Sequence, residues 1–209
     1  LHREHFLIHS EESVALLLIG CSGSGKSTFA KTLMKLGVGH GYLGTGARFR
    51  QHAINHPFYE KIISEYTRDG EHVPLKYTMP LVTEWFQEIV GYRLVLLDGF
   101  PRNEEQVDPA FSLLHEHGYR KVGAVYIDRS PETCAHYLAL QAAEEGMDRN
   151  DTSETAIANR LRKFQEKVVP SLKMVEDRSE VFHRVDANNL NLKDTSIVRD
   201  IARKVGIIH

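Results

Sequence analysis

The stretch GCSGSGKST, Gly20–Thr28, constrains this chain more than any other. It fits G-x-x-x-x-G-K-[ST], with Gly20, Gly25, Lys26 and Ser27 at the fixed positions. Glycines there let the backbone turn tightly and bring its N–H groups against phosphate oxygens, an approach that a Cβ would block. Lys26 supplies a mobile positive charge for terminal phosphates, and the Ser27 hydroxyl suits Mg²⁺. The flanks agree: the apolar run VALLLI, Val14–Ile19, feeds the loop, and a helical pattern, Lys26–Leu36, leaves it. A helix N-terminus at that point adds partial positive charge for an anion.

The rest of the chain narrows the class. With 209 residues and 42% apolar content it can bury a proper core, and the length suits one domain. A formal charge of −2 gives no electrostatic case for a nucleic-acid partner. The run Val14–Ile19 is too short to span a bilayer, and Glu11 and Glu12 precede it where a signal peptide wants positive charge. Cys21 and Cys134 cannot make a disulfide framework or a four-cysteine zinc knuckle, and Cys21 is expected to be reduced, as in a cytoplasmic enzyme. The histidines are scattered and read as surface residues rather than metal ligands.

In chain order, residues 1–13 form a polar N-terminal extension and 14–209 a single domain. Val14–Ile19 reads as a strand buried on both faces. Phe29, Leu33 and Leu36 give the next helix its apolar face, which ends before Gly37. His40–Ala53 contains a short strand, a turn at Thr45-Gly46 and a helix; helices follow over Pro57–Arg68 and Pro74–Val90. Arg93–Asp98 is a buried strand ending in an acid, and such an acid in a P-loop protein holds the Mg²⁺ water shell. Arg102 and Gln106 lie just beyond that strand end, where α/β proteins bind ligands. Lys121–Ile127 is a fourth strand, and Ser130 caps a helix with Pro131 at its first position. A polar loop, Glu144–Glu154, leads to a helix that Val169-Pro170-Ser171 interrupts; Glu180–Val185 and Asp194–Val205 give a fifth strand and a last amphipathic helix. The alternation implies an α/β architecture.

From Val14 to Val205 the chain resembles the adenylate kinase and nucleoside monophosphate kinase family. The P-loop carries the likeness together with TGxxxR at Thr45–Arg50, GxxVP at Gly70–Pro74, LLDGFPRNxxQ at Leu96–Gln106, and Arg149, Asp151, Arg160 and Leu161. The resemblance implies a three-layer α/β P-loop NTPase fold with a five-stranded parallel sheet and helices on both faces. It also implies a core of 14–44, 92–136 and 161–209, a helical monophosphate-binding insert over 45–91 and a short lid over 137–160. By the same resemblance ATP is the phosphoryl donor, seated by Gly20, Ser22, Gly23, Ser24, Gly25, Lys26, Ser27, Thr28, Tyr137 and Asn188. AMP is the acceptor, seated by Thr45, Gly46, Arg50, Val73, Gly99, Arg102, Gln106, Arg149 and Arg160. Lys26, Arg102, Arg149 and Arg160 act on the transferred group, and Ser27 and Asp98 hold Mg²⁺, partly through water. Gln106 offers both a donor and an acceptor to an adenine edge. The implied partners are small-molecule nucleotides, with a monomeric protein, no nucleic acid and no membrane.

The departures are as specific. Ala47 stands where the family's TGD has Asp, and Tyr137 and Gln141 stand near the two arginines of the helix entering the lid. Tyr137 offers a stacking face instead. The short lid has no cysteines, so the zinc-bearing lid of some relatives is absent. Two rivals stay open: a pyrimidine monophosphate kinase, and a regulatory pseudokinase that reads nucleotides without converting them.

Overall fold

The computed structural model describes residues 13–67, 71–145 and 154–208. Five strands, β1 (Val14–Ile19), β2 (Gly41–Gly44), β3 (Leu94–Asp98), β4 (Lys121–Asp128) and β5 (Val181–Asp186), form one sheet in the order β2-β3-β1-β4-β5. Every pairing is parallel, as the resemblance implies. The continuous apolar runs follow from this, because both faces of such a sheet are covered and neither face can be polar. On one face Ala15, Leu17, Val95, Leu97 and Ala124 pack with Trp85, Phe86, Val107, Phe111 and Val175. On the other, Leu16, Leu18, Leu96 and Val125 pack with Phe29, Leu33, Val198 and Ile201. The result is three layers, helix on sheet on helix.

Helix α1 (Lys26–Lys35) follows β1 and lies with α9 (Thr195–Lys204) on the second face. Between β2 and β3 come α2 (Thr45–Ala53), α3 (Pro57–Ile62), a π-helical turn at Ile63–Thr67 and α4 (Leu75–Glu88). Phe49, Ile62 and Leu81 give this block a small core of its own, packed by Tyr59, Tyr66, Val73 and Tyr77. Helix α2 starts at Thr45 itself, so the expected turn at Thr45-Gly46 is the first turn of the helix. Gly44 keeps extended backbone at its N-cap, and the strand passes into the helix without a loop.

Helix α5 (Glu104–Glu116) packs on the first face, and α6 (Pro131–Glu145) follows β4. The Ser130 hydroxyl accepts the Thr133 N–H, the cap that the sequence predicts. After α7 (Glu154–Lys163) a π-helical turn, Phe164–Val168, runs directly into α8 (Val169–Arg178). The expected interruption at Val169-Pro170-Ser171 is therefore a change of helical winding and not an exit from helix. Pro170 falls in the first turn of α8, directly after the π-helical turn. No helix among the described residues is long and apolar enough to cross a membrane.

The strand order fixes where a ligand can enter. From β1 the chain moves to the β3/β2 side and later crosses to β4 and β5, so a crevice opens at the carboxyl ends of β1 and its neighbours. Leu18 of β1 is in register with Asp98, and Ile19 with Tyr126 of β4. The P-loop thus leaves the sheet between the ends of β3 and β4.

Candidate active site

Glycine makes the loop possible. Gly20, Gly23 and Gly25 take φ of 154°, 83° and 101°. A Cβ on Gly20 would stand 2.5 Å from the Ser24 hydroxyl and 2.6 Å from the Ile127 carbonyl. Lys26 Nζ turns back across the loop and donates to the carbonyls of Gly20 and Cys21, both at 2.8 Å. It also lies 3.9 Å from Asp98 Oδ1. Burial pushes the Lys26 ammonium below its ordinary range; Asp98 opposes this and Arg102 reinforces it. A desolvated cation facing an open loop suits a polyanion, whose charge it would neutralise at low dielectric. Ser24 Oγ is buried without a hydrogen-bond partner, a second sign that the loop is shaped for an anion.

A second anion cradle sits across β3. Thr45, at the start of α2, is buried, and its hydroxyl donates to Gly99 O at 2.9 Å. Arg102 Nε donates to the same carbonyl at 2.7 Å. Gly99 is obligatory there: its φ is 85°, and a Cβ would lie 2.6 Å from Arg102 Nη2 and 2.7 Å from Thr45 Oγ1. The Phe100–Pro101 peptide that follows is cis. Over Gly46 two guanidinium groups converge, with Arg50 Nη1 at 3.6 Å and Arg102 Nη2 at 4.0 Å from its Cβ position. Two cations above the first turn of a helix suit an anion such as phosphate.

Asp98 joins the two cradles. Tyr42 Oη donates to Asp98 Oδ2 at 3.0 Å, orienting the carboxylate, and burial followed by the Asp98 charge raises the Tyr42 pKa. Nothing in the sequence around Tyr42 announces this partner, which lies 56 residues away. Mg²⁺ prefers few protein oxygens and keeps waters and substrate phosphates as its other ligands. One oriented carboxylate with the Ser27 hydroxyl beside a phosphate loop fits that habit. Among the described residues no cluster of three or more His, Cys, Asp or Glu could hold a metal by itself.

Other expected site residues are committed within the protein. Gln106 is buried; its Oε1 accepts the Arg102 N–H at 2.8 Å and its Nε2 reaches Val73 O at 3.4 Å. The amide therefore ties the insert to the β3 end, with one lone pair of Oε1 and one N–H of Nε2 engaged. Asn188 Oδ1 accepts the Ser130 N–H while its Nδ2 donates to Asp186, so this side chain ties the β5 exit to the start of α6. Tyr137 is 45% exposed, with the Arg129 guanidinium 4.9 Å over its ring. Arg160 lies part-buried on α7, and Ala47 is exposed on α2. Arg149 and Asp151, expected in the lid, lie outside the described residues, as does the side chain of Gln141.

Cys21 faces Cys134 of α6, their sulfur atoms side by side although 113 residues separate them in the chain. The first turns of α6 pack directly on the P-loop, with the Cys134 carbonyl filling the place that a Cβ on Gly23 would need. A juxtaposition between elements so far apart in the chain leaves no trace in cysteine spacing.

His72, two residues before Pro74, went unnoticed in the sequence. Its Nδ1 is buried without a partner, and burial, with Arg102 and Lys167 nearby, lowers its pKa from 6.5 to about 3. The folded protein then binds one proton fewer than the unfolded chain between those two values. Stability is expected to fall as pH drops through that window, by up to about 1.4 kcal/mol per pH unit. Urea denaturation between pH 7 and pH 4 checks this. His72→Phe should flatten the slope by that amount, and identical slopes for both proteins would refute it.

These features define a P-loop α/β protein in which Lys26 and Arg102 lie near one carboxylate, Asp98. Residues 19–158 match the family model described as the AAA domain. The chain is 32% identical over 173 residues to an adenylate kinase of Thermus thermophilus, covering 82% of this chain and 88% of that one. It is 29% identical over 164 residues to the adenylate kinase of Corynebacterium urealyticum, covering 78% and 86%. An adenylate kinase of Streptococcus pyogenes is 34% identical over 126 residues, covering 59% and 58%. The chain belongs to the adenylate kinase and nucleoside monophosphate kinase family.

Proposed function

We propose that this protein transfers the terminal phosphoryl group of Mg²⁺·ATP to AMP, giving two ADP. One observation carries the reading: the Lys26 cradle and the Arg50/Arg102 cradle meet on either side of Asp98. A phosphate on the second seat faces the terminal phosphate of a triphosphate on the first. Attack by an acceptor phosphate oxygen forms one P–O bond as the bond to the leaving ADP breaks. Negative charge then spreads over the equatorial oxygens of the transferred group. On this reading Lys26 and Arg102 neutralise it, and Arg149 and Arg160 are assigned the same task from the lid side. Bound at Asp98 and Ser27, Mg²⁺ would supply charge neutralisation for the phosphate chain.

The acceptor base is assigned as adenine, to which Gln106 keeps one lone pair of Oε1 and one N–H of Nε2. Nε2 carries two N–H groups and Val73 O takes one, which leaves one donor for a ring nitrogen. On this reading AMP is preferred over UMP and CMP, and the protein works as a monomer. The pseudokinase alternative rests on Ala47 and on Tyr137 in place of a lid arginine.

A coupled assay for ADP formation from Mg²⁺·ATP with AMP, UMP, CMP, GMP or no acceptor tests these assignments. AMP-dependent turnover is expected, with at least tenfold lower kcat/KM for the pyrimidine nucleotides. Turnover best with UMP would replace the acceptor. Tight nucleotide binding with no turnover for any acceptor would favour the pseudokinase.

A further inference from the structure

Lys26, Asp98 and Arg102 face the β3 side of the P-loop, so the nucleoside of a triphosphate seated there must leave on the opposite side, toward β4 and β5. Two elements line that flank. Helix α6 touches the loop at Gly23 through Cys134 and Leu138, and the segment after β5 touches it at Gly25 through Leu192. Between them lies Arg129, only 8% exposed.

The contacts of the Arg129 guanidinium resemble those that a purine would make. Its Nε and Nη2 donate to Ala187 O at 3.1 and 2.7 Å, and Nη2 also reaches Leu190 O at 3.1 Å. The guanidinium carbon lies 4.9 Å over the Tyr137 ring. Nη1 comes within 3.8 Å of the Cβ position on Gly25, at the start of α1. A flat plane bearing N–H donors thus takes two acceptors and an aromatic face that an adenine amino group and ring would otherwise use. Among the described residues no carboxylate pairs with this buried cation, and Asp128, its neighbour in the chain, is held by Arg184. A base that displaced it would have to break its three hydrogen bonds and its contact with the Tyr137 ring, so displacement is disfavoured.

We propose that Arg129 stands in for the donor base, so that this protein holds a nucleoside triphosphate by its phosphates and leaves the base unread. The inference rests on the P-loop being the donor seat. It makes Arg129 a residue that sets donor specificity and explains why Tyr137 is an aromatic ring, since it stacks on a side chain of the same protein.

Calorimetric binding of Mg²⁺·ATP and Mg²⁺·ITP to the full chain tests it, because the two differ at the purine 6-position, amino against oxo. Dissociation constants within threefold are expected for the native protein. Arg129→Ala, which frees the carbonyls of Ala187 and Leu190, should prefer ATP by tenfold or more. Arg129→Lys, which cannot bridge both carbonyls, serves in its place if the alanine variant does not fold. A native protein that already prefers ATP tenfold would overturn the inference while leaving the donor seat intact, and so would a folded variant with an unchanged ratio. Failure of both triphosphates to bind would bring down the donor seat and the inference with it.

Discussion

Lys26→Met is expected to lower phosphoryl transfer by about a hundredfold or more while the protein stays folded. The ammonium is the charge nearest the junction of the two cradles, 2.8 Å from two loop carbonyls and 3.9 Å from Asp98. Removing one preorganised charge from a transition-state clamp costs about 2.7–4 kcal/mol. Loss of its two hydrogen bonds costs the fold far less, because lysine is itself destabilised there by burial and methionine fills nearly the same volume. The measurement is kcat and KM in the ADP assay beside thermal unfolding of both proteins. Turnover retained within fivefold would remove Lys26 from the chemistry.

Gly23→Ala should damage the site through the backbone. Gly23 has φ of 83°, and an added Cβ would collide with the Cys134 carbonyl and meet Leu138 Cγ at 3.0 Å. A carbonyl in the first turn of α6 cannot swing aside as a flexible side chain can, so loop or helix must shift. Gly37 is the matched control: its φ is 75° but nothing lies within 4 Å of its Cβ position. Gly37→Ala is expected to cost only the left-handed strain, about 1–2 kcal/mol, with triphosphate affinity unchanged. Gly23→Ala should lose at least tenfold in triphosphate affinity as well as more stability. Equal affinities for the two variants, measured by calorimetry at one temperature, would show that the loop tolerates the shift.

These two expectations come from different levels of the molecule. Lys26 is named by the motif alone, because G-x-x-x-x-G-K-[ST] joins residue types to backbone geometry within one loop. The contact of Gly23 with Cys134 exists only once α6 has packed on that loop. A similar division runs through the rest of the site. The Ser130 cap and the β3 acid Asp98 were legible because each is set by its immediate neighbours and the local hydrophobic period. Gln106 stands out by its place in the motif but not by its contacts: its carbonyl accepts the Arg102 N–H, which composition and spacing cannot reveal. Pro170 shows the same limit in a helix, where a π-helical turn upstream admits a proline that reads as a break.

Arg50 and Arg102 were expected at the site from the family resemblance, whereas by itself the sequence determined the alternation of strands and helices and the glycine-rich loop between β1 and α1. Their signals are short-range, arising from the steric preferences of glycine and proline and from apolar runs that must be buried on both faces of a parallel sheet. Only the tertiary structure decided which groups face one another: Tyr42 with Asp98, Cys21 with Cys134, and Arg129 with Tyr137 and the carbonyls after β5. Most of these partners lie more than fifty residues apart, at separations of 56, 113 and 58 in the chain. They meet because the strand order β2-β3-β1-β4-β5 brings the carboxyl ends of distant strands together around one loop.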